Sequence, residues 1–230
     1  MPRETFQQQL QWLQDDVLAL GSMVENAIIE SVETLKQRDL EGARWLIGAD
    51  RFINDKRFAI EKDVLGLMAT QQPMAGDLRT LAAVLIISTE LERIGDYAKG
   101  IAKISLMISE QPLVKPLVDI PLMAEKARDM LDRALNSFVR RDVELARAVP
   151  AEDDEVDALY NQVYRELLAM IMSNPRILDQ ATYLVWVAHN LERAADRVIN
   201  ICERVVFTVT GEMIEMDLEG REDSGVEGLA

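Results

Sequence analysis

Four pairs of oxygen-bearing side chains lie four residues apart: Asp50 with Asn54, Glu92 with Asp96, Asp153 with Asp157, and Glu192 with Asp196. On a helix, side chains at this spacing project from one face, so two neighbouring helices can aim several oxygen ligands at one point. Carboxylates with an amide oxygen suit hard divalent or trivalent cations, and bridging carboxylates can hold more than one ion. A single such pair in an acidic chain reads as a solvated face. Recurrence argues otherwise, because like charges at i and i+4 destabilise a helix by a few tenths of a kcal/mol.

The remaining chemistry-bearing residues are sparse. His189 is the only imidazole and Cys202 the only thiol, so a metal site must rest mainly on oxygen ligands. A ferritin-like di-iron site needs Glu-x-x-His on two helices, which one histidine cannot supply. His189 reads as a surface or partly buried residue, with a peripheral ligand to the Glu192 group as the sharper alternative. Cys202 reads as a small core residue. Trp12, Trp45 and Trp186 read as core or interface anchors. Asp77 and Arg79 read as a helix cap and its neighbour. The chain contains no glycine-rich phosphate loop and no nucleophile arrangement.

Charge and composition narrow the partners. With 25 Lys and Arg against 40 Asp and Glu, the 230 residues carry a formal charge of −15. That sign repels phosphate backbones and excludes nucleic acid as a natural partner, while cations and basic protein surfaces are attracted. A 49% apolar, 28% charged composition with 11 Gly and 7 Pro is that of a folded protein. A lone cysteine and an N-terminus without an apolar stretch predict a cytoplasmic protein. No apolar run approaches the roughly 18 residues of a membrane span.

The elements that must position the acidic pairs are helices. From Phe6, apolar residues fall at Leu10, Leu13, Val17, Leu20, Val24, Ala27, Val32 and Leu35, alternating between threes and fours in most steps, as in one long amphipathic helix. Sustained two-residue alternation is absent, and the β-branched cluster at 205–210 continues a helical stretch. Pro73 and Pro175 each follow about thirty residues of helical pattern, and Pro112, Pro116 and Pro121 mark a central linker. Pro150 lies inside a helical pattern and predicts a kink or a break there.

Internal repetition completes the architecture. Arg38-Asp39-Leu40-Glu41 recurs as Arg141-Asp142-Val143-Glu144, and Asp50 with Ile53 and Asn54 as Asp153 with Val156 and Asp157, both at an offset of 103. Leu91-Glu92-Arg93 with Asp96 recurs as Leu191-Glu192-Arg193 with Asp196 at an offset of 100. The predicted fold is all-α, two tandem pseudo-symmetric antiparallel three-helix bundles built from six long helices. The units span 5–110 and 116–210, followed by an acidic flexible tail over 211–230. Asp39 and Asp142 are placed as N-caps of the second helices, and Asp77 and Asp179 as N-caps of the third. Asp50 and Asn54 stand about twenty residues before Pro73, and Glu92 and Asp96 about twenty after it, so an antiparallel hairpin sets them at one level. The second unit repeats this geometry around Pro175.

Glu90-Leu-Glu92-Arg93-Ile-Gly95-Asp96 and Asn190-Leu-Glu192-Arg193-Ala-Ala-Asp196, each closing a three-helix unit, resemble the PhoU family of phosphate-uptake regulators. The resemblance extends over about 5–210. It implies a cytoplasmic helical protein, a homodimer, with iron or zinc in multinuclear clusters held by Asp50, Asn54, Glu92, Asp96, Asp153, Asp157, Glu192 and Asp196. It also implies a negative regulator peripheral to a membrane transporter complex, linking the ATPase subunit of the phosphate ABC transporter to a phosphate-sensing histidine kinase. Asn54 departs from the pattern and weakens the charge of the first set. Two other readings stand beside a non-enzymatic regulator: a metal-dependent hydrolase, for which no general base lies outside the ligand set, and a metal-free helical scaffold.

Overall fold

The computed structural model describes residues 2–216. The first unit is a hairpin of three long helices, α1 (Pro2–Gln37), α2 (Leu40–Thr70) and α3 (Ala75–Ile108). The second comprises α4 (Asp119–Arg140), the short α5 (Val143–Ala148), a 3-10 turn (Val149–Glu152), α6 (Asp153–Ser173) and α7 (Leu178–Thr210), the last preceded by a 3-10 turn at Pro175–Ile177. The segment from α5 to α6 matches α2 of the first unit. It breaks where Pro150 stands at the position of Ile47, because proline lacks the donor that carries a helix forward. Pro121 lies inside the first turn of α4 and not in the linker, a place where the missing N–H has no partner to lose.

The seam of α1 buries Phe6, Leu13, Val17, Leu20, Val24, Ile28, Val32 and Leu35, with the partly buried Leu10 and Ala27 packed against it. Removing each such side chain from water stabilises the fold by roughly 1.5–3 kcal/mol. α3 packs on α1 and α2, α7 packs on α4 and α6, and the units join through α3 against α7 and α1 against α4. Most buried apolar residues of both units form one continuous core, and Ala43, Leu46 and Ala102 form a small separate cluster between α2 and α3. At the α1–α4 crossing a Cβ on Gly21 would stand 2.1 Å from Leu135 Cδ1, so any larger residue there would force the buried Leu135 side chain to shift.

The duplicated Arg-Asp motif has one structural role in both units. Arg38 and Arg141 follow the ends of α1 and α4 in the left-handed region, at φ 57° and 55°. Their guanidinium groups reach the last turn of the unit's third helix or just beyond, Arg38 to the Glu110 carbonyl at 3.4 Å and Arg141 to the Thr208 carbonyl at 3.2 Å. A cation there also complements the negative end of the helix dipole. Asp39 and Asp142 then cap α2 and α5, accepting from Gly42 N–H and Leu145 N–H at 2.9 and 3.0 Å. The third helices differ from expectation. Asp77 is the third residue after the cap position of α3, accepting from Met74 N–H at 3.3 Å, and Asp179 lies in the first turn of α7, after Ile177 at the cap. An acidic residue in a first turn satisfies the same free N–H groups and the same dipole, which is why the sequence looks alike.

Trp12, Trp45 and Trp186 are 57%, 62% and 49% exposed, which excludes the core half of their expected role. The linker is tied down by buried Gln180, which accepts from Val114 N–H at 2.5 Å and donates to the Pro112 carbonyl at 3.0 Å. After α7, Met216 N–H donates to Glu203 Oε1 at 3.0 Å, and Ile214 and Met216 pack on the core. The rest of the expected tail, 217–230, lies outside the described residues.

Candidate functional site

The first acidic group assembles where α2 passes α3. Asp50 is buried; its Oδ2 accepts from Asn54 Nδ2 at 3.1 Å and from Lys99 Nζ at 2.7 Å. Lys99 also faces Asp96 Oδ1, at 3.5 Å. Burial pushes the Glu92 carboxyl above its ordinary value, the Asp96 and Asp50 carboxylates push the same way, and Arg57 opposes them. The four residues that the sequence sets at one level are therefore neighbours. Lys99, three residues after Asp96 on the same helical face, is the member sequence reasoning missed. Its hydrogen bond to Asp50 raises the ammonium pKa, so the lysine remains charged.

The second group lies where α6 passes α7 and lacks an internal lysine, since Ile199 stands at the position equivalent to Lys99. Burial pushes the Glu192 carboxyl up, and Asp196 and Asp157 add to it against the opposing His189. Tyr160, at the position of Arg57, has its hydroxyl pKa raised by burial and by Glu192. Cations meet this group at its edge: Arg193 binds Asp196 Oδ2 at 2.8 Å, and the half-exposed His189 places Nδ1 3.2 Å from Glu192 Oε2. Asp153, the counterpart of Asp50, is buried at the start of α6, whereas Asp50 lies inside the unbroken α2.

Among the described residues, no three Asp, Glu, His or Cys side chains converge tightly enough as they stand to enclose an ion. The donor chemistry and the local electrostatics nevertheless fit a hard cation. Asp50 Oδ1 is buried without a hydrogen bond, and Glu192 Oε2 is buried with only the His189 imidazole beside it; each belongs to a group whose glutamate is driven toward protonation. Buried acceptors in this condition are costly until a cation or donor meets them. The second group fits better, having four carboxylates and no internal ammonium. Cys202 is not a ligand candidate, because burial pushes its thiol up to about 12.

A further polar cluster joins the units. Glu90 Oε2, buried between α3 and α7, accepts from Arg197 at 3.4 Å and from Asn200 Nδ2 at 3.3 Å. At the pseudo-symmetric position, a Cβ on Gly100 would stand 3.3 Å from Asn190 Oδ1. Glu90 and Asn190 are equivalent in the repeat, as are Gly100 and Asn200, so α3 and α7 cross antiparallel about a pseudo-two-fold axis. The sequence signal for this cluster is faint, because equivalent positions carry different residues.

A family model described as PhoU domain matches residues 17–105 and again 120–205. The phosphate-specific transport system accessory protein PhoU homolog of Clostridium acetobutylicum is 34% identical over 218 residues, covering 94% of this chain and 100% of that protein. The Aquifex aeolicus protein of the same description is 34% identical over 207 residues, covering 90% and 94%. Among solved structures, the phosphate transport system regulatory protein PhoU from Streptococcus pneumoniae superposes with a TM-score of 0.84 at 30% identity, covering 91% of this chain and 99% of that one. PhoU from Pseudomonas aeruginosa superposes at 0.85 and 30% identity, covering 90% and 100%.

Proposed function

Since this chain belongs to the PhoU family, we propose that it is a non-enzymatic negative regulator of phosphate uptake and phosphate-responsive signalling, acting by docking. Its targets in this reading are the ATPase subunit of the phosphate ABC transporter and the phosphate-sensing histidine kinase. The observation that carries it is the end-to-end match to relatives described as transport-system accessory proteins, both units included. An acidic body of charge −15 suits basic protein surfaces and steers their approach. The protein works in the cytoplasm as a homodimer, at the membrane's transporter complex; no described helix is long and apolar enough to cross a membrane. A pull-down from phosphate-starved and phosphate-fed cells should recover both targets, less efficiently at high salt. Recovery of neither would overturn the docking reading.

Metal is the second part of the proposal. Asp153, Asp157, Glu192 and Asp196 would hold iron or zinc, and Asp50, Asn54, Glu92 and Asp96 would form a weaker second set. A bound cation would neutralise the crowded carboxylates and cross-link α6 to α7. Glu192 contributes a buried oxygen that only the half-exposed His189 approaches, and Asp196 contributes once Arg193 gives it up. In the first set Lys99 already supplies a positive charge to Asp50 and Asp96. Elemental analysis of protein purified without chelator or affinity-tag metal tests this part, and metal-free protein would sink it.

A further inference from the structure

A mainly apolar opening in the first unit borders the acidic group, with Asp50 and Lys99 at its edge. Trp45 and Phe52, 62% and 49% exposed, stand seven residues apart on α2, with Met23 of α1 and Ala98 of α3 across from them, around a cavity of about 230 Å³. A second depression, sharing Glu30, Trp45 and Leu46 with the first, continues it toward Glu33 and Asp39. Together they run beside α2 from Asp39 to Ile53, about 21 Å at 1.5 Å per residue, or four helical turns. At the equivalent positions of the other unit Ala148 and Glu155 replace Trp45 and Phe52, and the helix breaks between them.

Charge says what fits. Along this groove the apolar floor is bordered by Glu30, Glu33 and Asp39. Glu30 is exposed and has no ion pair among the described residues; Glu33 is kept ionised by a hydrogen bond from Gln37 and by Lys36. The one lysine lining the groove, Lys99, is committed to Asp50 and Asp96. Arg51 lies over the Phe52 ring at 4.7 Å, so that ring already receives a guanidinium, whereas no described cation covers Trp45. The cavity exceeds the ~150 Å³ that houses a benzene ring and falls short of ordinary drug-sized sites, which suits one or two large side chains.

We propose that this groove docks a basic amphipathic helix of a partner protein. The helix sets a large apolar side chain between Trp45 and Phe52 and its lysine or arginine side chains against Glu30, Glu33 and Asp39. The inference rests on the docking reading above and names the surface and chemistry that reading leaves open. A bulky aromatic pair at the centre with charges at the rim is the usual distribution of binding energy in such contacts.

The test uses the full chain and a labelled 14-residue peptide, about 21 Å as a helix, with leucines on one face and lysines on the other, read by fluorescence anisotropy. Wild type should bind it. Trp45→Ala and Phe52→Ala should each weaken binding at least about tenfold, Glu30→Lys should weaken it and flatten its salt dependence, and Trp186→Ala should bind within about twofold of wild type. A peptide with glutamates in place of lysines should bind at least about tenfold more weakly. All four substitutions are at exposed positions, so circular dichroism should confirm unchanged folding. Equal binding by wild type, Trp45→Ala and Phe52→Ala would mean general attraction to an acidic surface and would overturn the groove, as would no binding at all. The pull-down separates the two readings: partners recovered equally with wild type and Trp45→Ala place docking elsewhere. Groove-specific peptide binding without any recovered partner keeps the groove and removes the assigned targets.

Discussion

Lys99 Nζ stands 2.7 Å from Asp50 Oδ2, so the first acidic group contains its own cation while the equivalent position in the second holds Ile199. The two copies of one motif are therefore electrostatically unequal. Asn54 in place of the second unit's Asp157 removes one negative charge, and Lys99 offsets another. Three cations act on the first group, Lys99, Arg57 and Arg93, against Arg193 and a half-exposed histidine on the second.

This inequality orders metal affinity. Titration with iron, zinc or manganese, followed by thermal melting, should show the second set filling first, with stability rising by mass action. Asp196→Asn should abolish the tighter phase and Asp96→Asn should leave it. Lys99→Met should strengthen the weaker phase by roughly tenfold or more, as expected for removing a nearby like charge. Equal affinities in wild type would refute the ordering, and no thermal shift with any of the three metals would refute the sites.

The ion pair between the units should be expensive to break. Glu90→Ala leaves Arg197, itself largely buried, without its carboxylate, at a cost of about 3 kcal/mol or more in chemical denaturation. Glu90→Gln retains an acceptor for Asn200 and should cost less. A loss below about 1 kcal/mol for Glu90→Ala would show that Tyr97 alone supports Arg197.

Arg141 combines an unfavourable backbone with a favourable side chain. Arg141→Gly relieves the left-handed φ but loses the bond to Thr208, whereas Arg141→Ala loses the bond and keeps the strain. Both should lower the unfolding free energy in chemical denaturation, with alanine below glycine by about 1 kcal/mol. Equal effects would mean that the backbone at this position is not strained.

Glu25, on α1 against α4, should impose a measurable pH dependence. Burial raises its pKa above the usual 4.5, and Asp132 and Asp129 add to the shift while Arg128 opposes it. A folded pKa above the unfolded one means the native state holds the proton more tightly. Its stabilising contribution is full below about pH 4.5 and is lost as pH rises through the folded value. Glu25→Gln carries no such change, so the variant's melting temperature relative to wild type should rise between about pH 4 and pH 7. A constant difference across that range would contradict the shift.

Spacing along the chain alone determined the two three-helix units, the break at Pro150, the Asp39 and Asp142 caps, and the common level of each acidic set. Helical periodicity is a local property set by covalent rise and turn, and a duplicated sequence repeats it. Only the tertiary structure decided which side chains meet from different helices. Lys99 reads as an ordinary surface lysine until α2 brings Asp50 beside it, and Glu90 acquires its partners only where α3 crosses α7. Trp45 and Trp186 have the residue type of core anchors, yet their faces point away from the seam, because the rotation of each helix is set by its neighbours' packing. The asymmetry of the two acidic groups arises in the same way: repeated residues fix where ligands stand, while unrepeated neighbours at 57, 99, 160 and 199 set the charge around them.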